Sequence, residues 1–262
     1  MRIMNSANDG YGRQLLSQFL NKTATCEIIE REDGFIGAGS DPGCYFSEFK
    51  QWLRIERRAI KMAKGRVLDI GCGAGRHSLY LQGLGHDVTG IDNSPGAIKV
   101  CKLRGLKKCM VRTISDVDKF KPNAFDTVLM LGNNFGLFGS RDGAKQILKK
   151  LDRITSPDAQ IVAGSLNPYK TRDPDHIRYH KLNKTRGRMP GQIRMRIRFG
   201  KTIGGWFDYL YVSPEEMNEI LDGTRWRVER FIDPEDTLYA AKIRKKSADG
   251  CNRAPKERGV FI

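Results

Sequence analysis

Between residues 65 and 168, short apolar runs alternate with stretches of helical periodicity. Strands are expected at 66–70, 87–92, 110–113, 125–131 and 160–165, and helices at 76–84, 95–104 and 142–154. Gly85 and Gly105 stand where two of these helices should stop. A run as apolar as 125–131 belongs in a sheet covered on both faces, and strand–helix alternation implies parallel pairing with right-handed crossovers. Residues 1–64 read as mainly helical. One run covers 11–21, and another covers 45–63 with Phe46, Phe49, Leu53, Ile60 and Ala63 at helical spacing. Asp33-Gly34, Gly37, Gly39 and Asp41-Pro42-Gly43 mark a loop between them.

After residue 168 the period changes to two. Ile193, Met195, Ile197 and Phe199 alternate with Arg194, Arg196 and Arg198, which predicts a strand with one basic face, turned at 200–205 into a hairpin partner at 206–212. Ser213-Pro214-Glu215-Glu216 opens a helix, with Ser213 as N-cap and Glu216 three residues on. Strands at 227–232 and 238–243 follow. The expected organisation is an N-terminal helical extension (1–44), a doubly wound α/β domain (45–243) whose 170–212 insertion covers the substrate, and a basic flexible tail (244–262).

Of the 262 residues, 39% are hydrophobic and 29% charged, enough for a core and against a wholly disordered chain. No apolar run approaches the length of a membrane-spanning helix. The first six residues have no apolar stretch behind their charge, so no secretory signal is expected. The six cysteines form no CxxC pair and read as reduced thiols in a cytoplasmic protein. The formal charge of +16 is concentrated: 170–202 carries +9 and 242–262 carries +5. Basicity therefore belongs to one internal segment and one tail.

The candidate chemistry begins at Val67-Leu68-Asp69-Ile70-Gly71-Cys72-Gly73-Ala74-Gly75-Arg76, which closes the first strand of the alternating series and opens its first helix. Glycines at alternate positions let the backbone turn sharply and approach a ligand, and the helix start offers unsatisfied N–H groups. Asp69 is placed to meet a cationic ligand group directly or through water. Asp92, 23 residues on, ends the second strand, where an acid accepts hydrogen bonds from ribose hydroxyls. Asp116 and Val117 follow the third strand, where an acid can accept from an adenine amine while the valine packs on the ring; Ser115 or Asp118 could fill that place. The dinucleotide fingerprint would need glycine at position 76, which is arginine, and no P-loop motif occurs.

The segment VLDIGCGAGRHSLYLQGLGHDVTGID resembles the first two motifs of class I S-adenosylmethionine-dependent methyltransferases, and FDTVLMLGNNFGLF resembles their fourth-strand motif. The resemblance implies a Rossmann-like, mostly parallel seven-stranded sheet with an antiparallel last strand, and S-adenosyl-L-methionine as cofactor. It implies a cofactor site of Asp69, Gly71, Cys72, Gly73, Gly75, Asp92, Asn93, Asp116, Val117, Gly132 and Asn133. Asp69 would lie near the ammonium, Asp92 at the ribose, Asp116 and Val117 at the adenine, and Gly132 and Asn133 beside the sulfonium.

The acceptor is left open. Leu131-Gly132-Asn133-Asn134-Phe135 lacks the Pro-Pro motif of amino-group nucleic-acid methyltransferases, and neither a double-Glu loop nor a Pro-Cys nucleophile occurs. Asn133, Asn134 and Tyr169 are the candidate catalytic residues, with His176 and His180 also near the strand ends; an asparagine orients an acceptor and cannot act as a base. Tyr45, Phe46, Phe49 and Trp52 either pack a helix or cage the acceptor. Tyr45, Arg194, Arg196 and Arg198 are the candidate acceptor contacts, the arginines either gripping an anionic group or protecting an exposed strand face. His176 and His180 lack a third ligand of suitable spacing, so no metal is expected. The leading expectation is a methyltransferase for a small molecule. An RNA methyltransferase rests on the concentrated charge, and a non-catalytic cofactor-binding protein ranks third.

Overall fold

The computed structural model describes residues 3–22 and 25–246. The chain opens with helix α1 (Gly10–Asn21), strands β1 (Ile28–Arg31) and β2 (Ile36–Ala38) and helix α2 (Arg54–Ile60). The alternating series follows: β3 (Arg66–Ile70), α3 (Arg76–Gly83), β4 (Asp87–Asp92), α4 (Pro95–Leu103), β5 (Cys109–Val111), β6 (Phe125–Met130), α5 (Arg141–Ile154) and β7 (Thr155–Leu166). Then come α6 (Pro174–Thr185), β8 (Gln192–Phe199), β9 (Thr202–Ile203), β10 (Phe207–Leu210), α7 (Pro214–Leu221), β11 (Trp226–Ile232) and β12 (Leu238–Lys245).

Seven strands form the main sheet in the order β11-β12-β7-β6-β3-β4-β5. Pairings among β3 to β7 are parallel, and β12 runs antiparallel to β7, as the resemblance implies. The chain crosses from one side of β3 to the other between β5 and β6, which leaves a crevice at the strand tips, the usual ligand position in an open α/β sheet. Both faces are covered. Leu68, Ile70, Val128, Met130 and Ile161 pack with Leu148, Leu151 and Ile154 of α5, while Val67, Leu129 and Val162 pack with Trp52, Ile60 and Leu81. In α5, Ala144, Leu148, Leu151 and Ile154 recur at helical spacing, and Ser140 caps the first turn by accepting from the Gly143 amide. Ser213 and Glu216 form the expected capping box of α7.

The N-terminal segment departs from its expected helical character. Ile28–Arg31 and Ile36–Ala38 are strands, paired with each other around Asp33-Gly34. β1 also pairs antiparallel with β8, which pairs with β10, so a second sheet runs β10-β8-β1-β2 with β9 beside β8. The hairpin after β7 is thus as expected, but it is completed by strands more than 150 residues earlier in the chain. The helix expected over 45–63 is broken into 3₁₀ turns at Pro42–Phe46 and Phe49–Gln51 and the short α2. There side chains take main-chain oxygens: Ser47 Oγ donates to Cys44 O at 2.7 Å, and Trp52 Nε1 donates to Ser47 O at 2.9 Å. β12 reaches Lys245, two residues further than expected, and most of the basic tail, 247–262, lies outside the described residues. No described helix is long and apolar enough to cross a membrane.

Candidate active site

The tips of β3, β4 and β6 meet the second sheet across a cavity of about 240 Å³. The turn after β3 bends as its glycines require, with φ of +73°, +55° and +80° at Gly71, Gly73 and Gly75. Gly71 and Ile70 line the cavity; Cys72, Gly73 and Gly75 form the loop behind. Tyr11 of α1 covers that loop, so that a Cβ on Gly73 would stand 2.6 Å from the Tyr11 hydroxyl oxygen. Cys72 points the other way, its Sγ 3.9 Å from that of Cys101 in α4.

Asp92 lines the cavity at the tip of β4, with Asn93 beside it. Its Oδ2 accepts from the Gly73 amide at 3.0 Å and its Oδ1 from the Ser94 amide at 2.9 Å. Burial pushes its pKa up to about 6, against the pull of those two amides. Asp69 is placed otherwise than expected. It is buried behind the loop, its Oδ2 accepting from Ser78 Oγ of α3 at 2.6 Å, and it does not line the cavity. In this position it holds α3 to β3.

The adenine end also differs. Val117 is buried in the main core, and Asp116 accepts from Thr113 Oγ1 at 2.8 Å and pairs with Lys119 Nζ at 2.8 Å. The Lys119 ammonium and the Thr113 hydroxyl hold its pKa below the usual carboxylate value. The 3₁₀ turn Ile114–Lys119 aims residue 114 inward instead, so Ile114 and Arg112 line the cavity there. The Arg112 guanidinium stacks on Phe120, 4.2 Å from the ring centre, and its Nη1 is buried without a hydrogen-bond partner.

At the tip of β6, Gly132 and Asn133 are both left-handed, with φ of +68° and +67°, and both line the cavity. Asn134 lines it as well, but its amide donates to Ile70 O and Gly71 O at 2.9 and 3.0 Å, which fixes the glycine turn and makes it a structural clamp. Tyr169 is remote: it is 52% exposed and its hydroxyl donates to Glu216 at 2.7 Å.

The second sheet roofs the cavity. Met195 and Ile197 of β8 point in, with Ile29, Phe207 and Tyr209 from its neighbouring strands and Tyr211 just beyond β10. The alternation read from the sequence is real, and the apolar half faces the site. Arg194, Arg196 and Arg198 take the opposite face. Arg196 and Arg198 pair with Glu30 of β1 at 2.7 and 3.0 Å, and Arg194 with Asp208 at 3.4 Å. None of these three expected acceptor contacts lines this cavity, because a strand side chain cannot share a face with its immediate neighbours, but Arg194 lines the adjoining cavity of about 810 Å³. Tyr45 does line the cavity, its hydroxyl donating to Glu27 at 3.1 Å. Phe49 and Trp52 instead pack on Tyr80 of α3.

Several lining residues carried no signal in the sequence: Tyr11, Glu27, Ile29, Arg112, Tyr209 and Tyr211. Met195 and Ile197 could have been found as the apolar partners of the arginine stripe. Two larger cavities adjoin. One of about 740 Å³ shares Ser40, Tyr45, Gly132 and Asn133, and one of about 810 Å³ shares Met4, Asn93, Leu137 and Phe207. Among the described residues, no group of three or more His, Cys, Asp or Glu is arranged to hold a metal ion.

Residues 67–158 match the family model described as a methyltransferase domain. A ubiquinone biosynthesis O-methyltransferase from Xanthomonas euvesicatoria pv. vesicatoria is 38% identical over 74 residues, 26% of this chain and 31% of that one. A protein of the same name from Dechloromonas aromatica is 33% identical over 133 residues, 46% of this chain and 56% of that one. The chain thus spans well under two thirds of these curated relatives. A solved S-adenosylmethionine-dependent methyltransferase from Bacteroides fragilis, in complex with S-adenosyl-L-homocysteine, superposes with a TM-score of 0.80 at 26% identity, covering 93% of this chain and 97% of that one.

Proposed function

From its membership of the class I S-adenosylmethionine-dependent methyltransferase family, we propose that this chain transfers a methyl group from S-adenosyl-L-methionine to a small-molecule acceptor. The observation that carries the proposal is the meeting of Gly71, the Asp92 carboxylate and the Gly132–Asn133 turn around one cavity at the sheet's switch point. The residues fit the cofactor. Main chain without a side chain stands at Gly71 and Gly132, and Asp92 presents a buried acceptor suited to ribose hydroxyls. The charged side chains lining the cavity are Glu27, Asp92 and Arg112, an excess of negative charge that suits a cationic ligand.

Bound S-adenosylmethionine supplies an electrophilic methyl on a sulfonium, so chemical activation is already present in the donor. What the chain adds is position and exclusion of water. Asp92 and the glycine turn would fix the nucleoside. Asn133, on the left-handed turn after β6, borders the place where the acceptor would approach. Met195, Ile197, Phe207, Tyr209 and Tyr211 make a roof of largely apolar surface, which suits an acceptor with an aromatic or aliphatic body. We read 1–44 and the 170–212 insertion as one cover over the 45–243 domain, since β1 and β2 complete the sheet of β8 and β10.

The name of the curated relatives makes an oxygen acceptor the first to test, and five unpaired described cysteines suit a cytoplasmic site of action. An RNA acceptor is the less favoured reading, because six of the eleven basic side chains of 170–202 are already held in ion pairs. Arg186 and Arg188 pair with Glu32, Arg178 with Asp175, and the β8 arginines with Glu30 and Asp208.

The test is incubation of the full chain with methyl-labelled S-adenosylmethionine and a metabolite extract. Label in low-mass products together with release of S-adenosylhomocysteine is expected. Label confined to RNA or protein would overturn the acceptor class. Cofactor binding without turnover in any fraction would favour a non-catalytic binder.

A further inference from the structure

The acid of the glycine turn, Asp69, is committed to Ser78 behind the loop, yet the cavity holds a different buried carboxylate. Glu27 lies just ahead of β1, is 3% exposed and lines the cavity. Its Oε1 accepts the Tyr45 hydroxyl at 3.1 Å, and its Oε2 has no hydrogen-bond partner. Gln14 of α1 and the Ser40 main chain stand beside it and favour its charged form, but the Gln14 amide lies outside hydrogen-bond geometry. Gly39 gives the carboxylate its seat: a Cβ at 39 would fall 2.3 Å from the Glu27 carboxyl carbon and 2.5 Å from Oε1. A buried carboxylate oxygen without a donor costs free energy unless a ligand supplies one.

Its position selects the ligand group. The Tyr45 ring, whose hydroxyl donates to Glu27, meets Tyr11 edge-on with ring centres 5.5 Å apart, and the Tyr11 hydroxyl reaches over Gly73. Glu27, Tyr45 and Tyr11 therefore form a chain from β1 to the glycine turn. The cation of the cavity, Arg112, belongs to the opposite, nucleoside end, where its amide donates to Asp92 O at 2.9 Å. On the reading that the chain binds S-adenosylmethionine, we propose that Glu27 Oε2 accepts a hydrogen bond from the ammonium group of the cofactor's amino-acid portion, the part that the resemblance gives to Asp69. Tyr45 orients the carboxylate by donating to its other oxygen, and Gly39 leaves room for it.

Calorimetric binding to the full chain tests this without knowledge of the acceptor. The ligands are S-adenosylhomocysteine and its desamino analogue, in which hydrogen replaces the amino group. Glu27→Gln should weaken S-adenosylhomocysteine about tenfold or more, the worth of a charged hydrogen bond, and change affinity for the desamino analogue by less than about twofold. Gly39→Ala, which pushes the carboxylate off its seat, should follow the same pattern. Retained binding of the desamino analogue shows that each variant is folded. Unchanged affinity for S-adenosylhomocysteine, or an equal loss for both ligands, would overturn the assignment and leave the family reading intact. Failure of the unaltered chain to bind S-adenosylhomocysteine would remove both.

Discussion

The hydroxyl of Tyr209 donates a 2.8 Å hydrogen bond to the main-chain oxygen of Asn133. This single contact joins β10 of the roof to the left-handed turn that borders the cavity, and the Tyr209 ring lies against Gly136, where a Cβ would stand 2.1 Å from it. Tyr209→Phe keeps the ring and removes the bond. The expected cost is about 1 kcal/mol, read as a fall of about 2–4 °C in thermal midpoint for a domain of this size. An unchanged midpoint would show that the bond does not hold the roof to the turn.

Gly96 of α4 lies against Gly12 of α1 so closely that a Cβ on Gly96 would fall 2.6 Å from the Gly12 Cα. Asp9 ties the same crossing by accepting from Ser94 Oγ at 2.8 Å, from the Gly96 amide at 2.9 Å and from the Gly12 amide at 2.8 Å. Backbone cannot rotate away as a side chain can. Gly96→Ala should therefore destabilise the chain by about 2 kcal/mol. It should also weaken S-adenosylhomocysteine, because α1 carries Tyr11 over the glycine turn. Denaturant unfolding and calorimetry read the two effects separately, and wild-type stability would refute the close packing.

What the sequence revealed follows from how local each signal is. The main sheet was legible because its strands and helices alternate and each is periodic within its own span. Asp92 and Gly71 were legible because a strand tip and a turn are local features. Glu27 was not, since its place depends on β1 pairing with β8 across the fold. Asp69 and Val117 were assigned to the cofactor by motif position, but side-chain direction within a turn is settled by packing, and it takes one to Ser78 and the other into the core. The arginine stripe showed the alternation of β8 without showing which face meets the domain.

That stripe yields a negative prediction. Arg196 lies directly across from Glu30, stacks on Trp206 at 4.6 Å and faces away from the cavity. The double variant Arg196→Ala, Arg198→Ala should leave S-adenosylhomocysteine affinity within about twofold of the unaltered chain, as expected for half-buried ion pairs outside the site. The unaltered chain's affinity for single-stranded RNA should lack the steep salt dependence of multiple phosphate contacts. A steep dependence abolished by the double variant would restore the nucleic-acid reading.

Acid should weaken cofactor binding through Asp92. Burial raises its pKa in the free chain to about 6, and Asp9 and Asp69 add to the rise by repulsion while the Ser94 and Gly73 amides oppose it. Ribose hydroxyls donating to the carboxylate favour its charged form, so its pKa must fall when the ligand binds. Binding therefore releases a proton at pH values below about 6. Affinity for S-adenosylhomocysteine should be flat above that value and decline as pH falls through it, by at most about tenfold per unit for one proton. Asp92→Asn removes this part of the slope and weakens binding at pH 7.5 by about tenfold or more. Any slope that persists belongs to Glu27, whose pKa burial also raises, and Glu27→Gln should abolish it. Calorimetry in buffers of differing ionisation enthalpy counts the protons directly. Affinity that stays constant from pH 5 to 7.5 in the unaltered chain would mean that the ligand's hydroxyls do not meet the Asp92 carboxylate.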